Sequence, residues 1–249
     1  MKSKKNSTII LSKIQGELLK NKKLDISLSY IFYLIKYKLN ITHKQLRSKY
    51  YPEKKLGTLR TDKQKFYKTL IDKGIQNIIS IDETGFYLNM CKGFGRSDKG
   101  KRCYKTVHKY PYVKFNFICA IKYGKVIGWE LYAKNSGGIN ATIFNSFYDK
   151  HIKDTYQNHV IILDNARFHK TTEVTKNIEK SKNKVIYTLA YNPNLNPIEN
   201  FFSQLKNHVK NESPMNYDDL KNEIKNVIKN KISKRSFEKL FQIFIFASK

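Results

Sequence analysis

The 249-residue sequence predicts an α/β domain built on a mixed sheet flanked by helices, preceded by a small helical region. Three observations carry that expectation. The runs IQNIISIDE (75–83) and HVIILD (159–164) are short and apolar, and each ends in an acid followed by turn residues, as a buried strand does. Between them, residues 112–122 and 125–133 alternate like a hairpin around Gly124. Around and after the second run, helical patterns alternate with one further strand, Lys184–Leu189.

In chain order, residues 8–22 carry apolar positions at helical spacing after Thr8, and residues 28–39 do so again after the turn Lys23-Leu24-Asp25-Ile26-Ser27. Two short helices across a tight turn look like the last two helices of a helix-turn-helix, with Tyr30, Tyr33, Lys36 and Lys38 as candidate DNA contacts. The alternative is a plain helical hairpin whose aromatic residues are core. Residues 1–45 are therefore expected to be a partial helix-turn-helix region, 46–74 a basic linker ending in a short helix, and 75–249 the main domain with C-terminal helices.

Residues 92–105 form a Gly-punctuated basic loop. They lack the strand-to-helix junction and the Gly-Lys-Ser/Thr ending of a phosphate-cradling loop. Lys99, Lys101 and Arg102 either lie along a DNA backbone or decorate a solvated hairpin tip. Helices follow near 140–155 and 171–181, on either side of the second acidic strand. A third begins at Asn196-Pro197-Ile198-Glu199, where Asn at the N-cap and Pro at the first helical position mark a start, and helices near 217–230 and 234–246 finish the chain. Antiparallel strands first and crossover helices later is the layout of a ribonuclease-H-like domain.

The chemistry is expected at Asp82, Asp164 and Glu199, with 34 residues between the last two. Singly, a strand-terminal Asp can cap its own turn, and Glu199 can close a capping box with Asn196. Together, two acids at the carboxyl ends of apolar strands and one on a helix start suit hard oxygen ligation of Mg²⁺ or Mn²⁺. Open α/β sheets bind ligands at that edge. Two such ions promote phosphodiester displacement with no covalent protein intermediate; Asp82 is the expected bridging ligand, with Asp164 and Glu199 each completing one ion.

Composition agrees. Forty-eight basic residues against 20 acidic ones give a net charge of +28, a field that attracts polyanions. Lys accounts for 42 of the basic residues, a preference A/T-rich codon use would explain, but that bias leaves the shortage of acids unexplained. Residues 1–75 alone carry 19 basic and 5 acidic residues. Cys91, Cys103 and Cys119 are odd in number and without zinc spacing, so reduced intracellular thiols are expected. Apolar runs stop well short of the roughly 18 residues of a membrane span, and no secretory apolar region opens the chain.

The segments Ser80–Phe86 (SIDETGF), Leu163–His169 (LDNARFH) and Tyr191–Asn200 (YNPNLNPIEN) closely resemble the three catalytic blocks of mariner-like transposases, the superfamily of bacterial insertion sequences and mariner elements. The resemblance covers roughly residues 8–230, and its third block is highly specific. It implies a ribonuclease-H-like fold with Asp82, Asp164 and Glu199 as the metal-binding triad for two Mg²⁺ or Mn²⁺ ions. It further implies cutting at an element's ends and joining to new double-stranded DNA, with no small-molecule substrate and no membrane.

Alternatives are a catalytically inactive DNA-binding remnant and a structure-selective nuclease. Synapsis of two ends would suit a homodimer, and the working place is intracellular, a prokaryotic cytoplasm or a nucleus or virus factory. Asn165 and Asn200 are expected to hold carboxylates in place, and Arg167 to contact DNA. His169 either contacts substrate phosphate, orients a water or is a surface residue; Trp129 is expected in the core. Superfamily members usually carry two helix-turn-helix units, and the 81 residues before Asp82 accommodate the later part of one, so weak sequence preference is expected.

Overall fold

The computed structural model describes residues 10–42, 58–88, 90, 98–104, 113–133, 137–189 and 195–246. The chain divides into two compact units, residues 1–49 and 50–249. In the first, α1 (Leu11–Lys22) stops at Lys23, whose φ of 52° is the left-handed conformation that commonly ends a helix. Ser27 accepts the Tyr30 N–H to cap α2 (Leu28–Tyr33), which runs on into a π turn at Leu34–Lys38.

The second unit begins with α3 (Leu59–Lys73), closed by Gly74 at φ 79°. The sheet comprises β1 (Ile78–Tyr87), β2 (Lys114–Lys122), β3 (Lys125–Tyr132), β4 (Val160–Leu163) and β5 (Lys184–Tyr187). Its order is β3-β2-β1-β4-β5, with β1, β4 and β5 mutually parallel and β2 antiparallel to both its neighbours. The β2–β3 turn is the two residues Tyr123-Gly124, with Gly124 at φ 84°, where a side chain would be strained. Helix α4 (Ala141–Tyr148) extends into a π turn before β4, α5 (Thr172–Lys180) crosses from β4 to β5, and α6 (Pro197–Glu212), α7 (Tyr217–Asn226) and α8 (Lys234–Phe246) complete the chain.

Central strands buried on both faces read as unbroken apolar runs, and here alternate residues enter two cores. Ile78, Phe86 and Ile162 face one core with Phe201, Leu205 and Val209 of α6, Leu220 of α7 and Phe241 of α8. Ile79, Ile81, Ile161 and Leu163 face the other, with Phe144 and Phe147 of α4 and Val174 and Ile178 of α5. Trp129 packs at the edge of the first core against Phe117, with ring centroids 5.9 Å apart.

Two boundaries differ from the sequence expectation. Asp82-Glu83-Thr84-Gly85 is strand, because β2 pairs with β1 from Ile79↔Lys122 to Tyr87↔Lys114. Asp82 is nonetheless at a strand end in one sense, since pairing with the shorter β4 stops at Ser80↔Ile162. The second concerns residues 59–73, expected as the short helix that ends a basic linker; the helix is present, but it is 15 residues long and part of the domain. They form α3, whose Phe66, Tyr67 and Leu70 are buried in the first core. No helix among the described residues is long and apolar enough to cross a membrane.

Candidate active site

Asp82 sits where β1 outruns β4, and Asp164 directly follows the last residue of β4. Glu199 lies in the first turn of α6, which starts at Pro197 and packs on β1. All three acids thus lie toward the carboxyl end of the parallel strands, with Glu199 and Asp164 near enough to Asp82 for their charges to act on it. Asp82 Oδ1 accepts the Glu83 N–H at 2.8 Å, and Asp82 Oδ2 accepts from Asn196 Nδ2 at 2.9 Å. Burial, reinforced by the charges of Glu83, Glu199 and Asp164, pushes the Asp82 carboxyl up to about 8 against the pull of that backbone bond.

Successive residues of a strand point to opposite faces, so Glu83 turns away from Asp82 and meets His169. His169 is fully buried, with its ring edge-on to Phe144 at a centroid distance of 4.9 Å. It donates from Nδ1 to Asp164 Oδ1 at 2.7 Å and from Nε2 to Glu83 Oε1 at 3.3 Å. Burial opposes the imidazolium, but these two carboxylates outweigh it and lift the group to about 9. The same His169 bond holds Asp164 below the usual carboxylate range, helped by the Ala166 N–H at 2.8 Å. Desolvation raises Glu199, opposed by Lys206 and reinforced by Asp164. Lys206, two helical turns beyond Glu199, donates to Thr84 Oγ1 at 2.5 Å and is lowered mainly by burial.

The sequence expectations fare unevenly outside the acids. Asn165 does not hold a carboxylate: its Nδ2 donates to the Thr188 carbonyl and its Oδ1 accepts from Lys170 at 2.7 Å, which fastens the end of β4 to the chain after β5. Asn200 is exposed on α6 and makes no hydrogen bond to the acids among the described residues. His169 is not a surface residue: it is fully buried, with Phe144 of α4 and Phe168 against its ring. Arg167, Lys99, Lys101 and Arg102 are exposed, Lys101 pairing with Asp98 at 2.9 Å. In the first unit Tyr30 and Tyr33 are 52% and 45% exposed and stacked at 6.1 Å, so the reading that places them in a core does not hold, and Lys36 and Lys38 are exposed beside them. Residues 92–97 and 191–194, and Cys91, lie outside the described residues.

Sequence reasoning missed Glu83, Ser80, Asn196 and Lys206. A spacing of seven puts Lys206 on the face of Glu199, a signal the sequence offered. Glu83 was visible only as half of an Asp-Glu pair, and Asn196 was masked by its own helix-start signature.

Among the described residues, no three His, Cys, Asp or Glu side chains stand close enough to ligate one ion. The donor chemistry fits a hard divalent cation all the same: Asp82 is desolvated among like charges, and Asp82, Asp164 and Glu199 present only oxygen. Each Asp82 oxygen uses one lone pair on its protein partner, and Asp164 Oδ2 lies beyond the two bonds that Oδ1 accepts.

Fold and site together define a ribonuclease-H-like domain carrying an acidic centre at the carboxyl edge of its parallel strands. Residues 77–221 match the family described as DDE superfamily endonuclease, and the chain belongs to that family. Its fold is that of Mos1 transposase. The Mos1 strand transfer complex superposes with a TM-score of 0.73 at 15% identity, over 96% of this chain and 76% of that one. The Mos1 mariner paired end complex with Mn gives 0.71 at 15% identity, over 95% and 76%. The Mos1 catalytic domain alone gives 0.61 at 15%, over 82% and 94%. No curated protein sequence matches the chain.

Proposed function

We propose that the chain is a mariner-type DNA transposase that hydrolyses phosphodiester bonds at the ends of a mobile element and joins them to target DNA. This reading is supported by the match of residues 77–221 to a DDE superfamily endonuclease and by the charges of Asp164 and Glu199 acting on Asp82 within that domain. Divalent ions, when bound, supply the Lewis acidity that activates a water or 3′-hydroxyl and stabilises the departing oxygen. Mg²⁺ and Mn²⁺ fit the oxygen-only ligand set, with Asp82, Asp164 and Glu199 holding them.

The chain's other residues prepare that site. His169 fixes Asp164 through Oδ1 and ties it to Glu83, which leaves Oδ2 outside these bonds. Lys206 sets a cation beside Glu199, where a DNA phosphate would approach. The +28 charge supplies long-range attraction for the duplex, and the exposed Tyr30, Tyr33, Lys36 and Lys38 supply contacts in the first unit.

The test incubates the protein with supercoiled DNA and with a labelled element end, in Mg²⁺, Mn²⁺ or EDTA. Metal-dependent nicking and joined products are expected from the wild type and none from Asp82→Asn, a loss of at least about a hundred-fold. Band shifts without cut strands would leave a DNA-binding remnant. Cut strands with no joined product would leave a structure-selective nuclease.

A further inference from the structure

Asn196 occupies the N-cap of α6 in extended backbone, yet its side chain makes no capping bond. An N-cap Asn usually accepts a helix N–H. Here the amide is buried and turned onto β1. Nδ2 donates to Asp82 Oδ2 at 2.9 Å, and Ser80 Oγ donates to Asn196 Oδ1. Ser80 and Asp82 are two apart in a strand and so share the face that α6 covers. With a divalent ion bound, Asp82 would be ionised and could only accept, which matches the observed orientation: the amide nitrogen faces Asp82 and the amide oxygen takes the Ser80 proton. Both ends of the amide are therefore committed, and its orientation is fixed. Glu199 follows one turn later on the same helix.

We propose that Asn196 is a positioning residue that clamps Asp82 to the start of the helix bearing Glu199, and so sets the separation of these two carboxylates for a divalent ion. The inference rests on the metal-dependent reading above. It explains why a residue placed to cap a helix forgoes the cap: the bond to Asp82 orders a desolvated carboxylate whose own neighbours repel it.

The test uses full-length wild type, Asn196→Ala, Asn196→Ser, Ser80→Ala and the Ser80→Ala/Asn196→Ala double variant. Mn²⁺ affinity is read by titration calorimetry without DNA, half-saturating Mn²⁺ is read from nicking, and the thermal midpoint in EDTA reports folding. Serine is a strong N-cap but too short to reach Asp82, so Asn196→Ser separates capping from clamping. Mn²⁺ affinity is expected to fall about ten-fold or more in Asn196→Ala and Asn196→Ser alike, within the roughly 10–100-fold range for losing a metal ligand's hydrogen-bond partner. Ser80→Ala should lose less, and the double variant no more than Asn196→Ala alone, because the hydroxyl acts through the amide.

Wild-type Mn²⁺ affinity in folded Asn196→Ser, or additive losses in the double variant, overturns the clamp. Should Asn196→Ala fail to fold, Asn196→Ser and Ser80→Ala decide the matter. A wild type that binds no Mn²⁺ sinks the proposed function and the clamp with it, whereas a wild type that binds beside an unaltered Asn196→Ser sinks the clamp alone.

Discussion

Asp82 is lifted to about 8 chiefly because burial strips it of water, and Glu83, Glu199 and Asp164 add like charge. The folded chain therefore prefers this carboxyl protonated. Its favourable contribution is complete below the unfolded value of about 4 and is lost as pH rises through the folded value of about 8. His169 runs in a later window: held near 9 by Asp164 and Glu83, it stabilises below its unfolded value of about 6.5 and ceases to do so as pH climbs through 9. Metal-free wild type should thus lose stability from pH 4 upward, and Asp82→Asn should remove the first part of that loss. In EDTA, denaturation should find Asp82→Asn more stable than wild type at pH 8.5 by about 2 kcal/mol, discounted from roughly 1.4 kcal/mol per pKa unit for local relaxation, and equal to it near pH 4. Adding Mn²⁺ should stabilise the wild type and leave Asp82→Asn unmoved. Equal stabilities at pH 8.5 would show that Asp82 is not strained by its neighbours.

Element by element, local signals and distant partners divide what the sequence discloses. Strand β4 and the start of α6 were legible because an apolar run ending in Asp164, and Asn-Pro ahead of Ile198, are local instructions. Strand β1 was legible only to Asp82; its continuation through Gly85 depends on β2, a partner about thirty residues away whose pairing overrides the turn propensity of Asp-Glu-Thr-Gly. The brace on Asp164 was hidden for the same reason, since His169 is buried by Phe144 and reaches Glu83 on another strand. Helix α3 shows the cost of reading composition alone: its lysines suggest a linker, while Phe66, Tyr67 and Leu70 form an apolar stripe that α8 receives, Tyr67 and Phe244 lying 5.7 Å apart. A fragment of residues 50–249 should consequently unfold cooperatively. One of residues 75–249 strips three large buried side chains, at about 2 kcal/mol each by burial, from a domain whose whole stability is on the order of 5–15 kcal/mol. Thermal scans should show a sharp transition for the first and a broad or absent one for the second; matching transitions would mean that α3 is dispensable to the core.

Across the whole molecule, the question is whether +28 is a working field or a by-product of codon use, which would account for 42 lysines among 48 basic residues without giving them a task. Lysine is a compact, strongly hydrated charge that meets phosphate without the bidentate geometry by which Arg reads guanine, so a lysine field favours the DNA backbone over the sequence. Each phosphate neutralised releases counterion, and the dependence of affinity on salt counts the contacts. If the field works, the cleavage-inactive Asp82→Asn protein should bind random duplex DNA with a steep slope of log affinity against log salt. A protein with 6–10 phosphate contacts weakens by roughly 10³–10⁵ between 50 and 200 mM salt. Competition with unrelated duplexes should change affinity far less than salt does. A shallow slope, of about two contacts or fewer, would assign the lysines to composition and leave DNA capture to a few residues in the first unit and around Lys206.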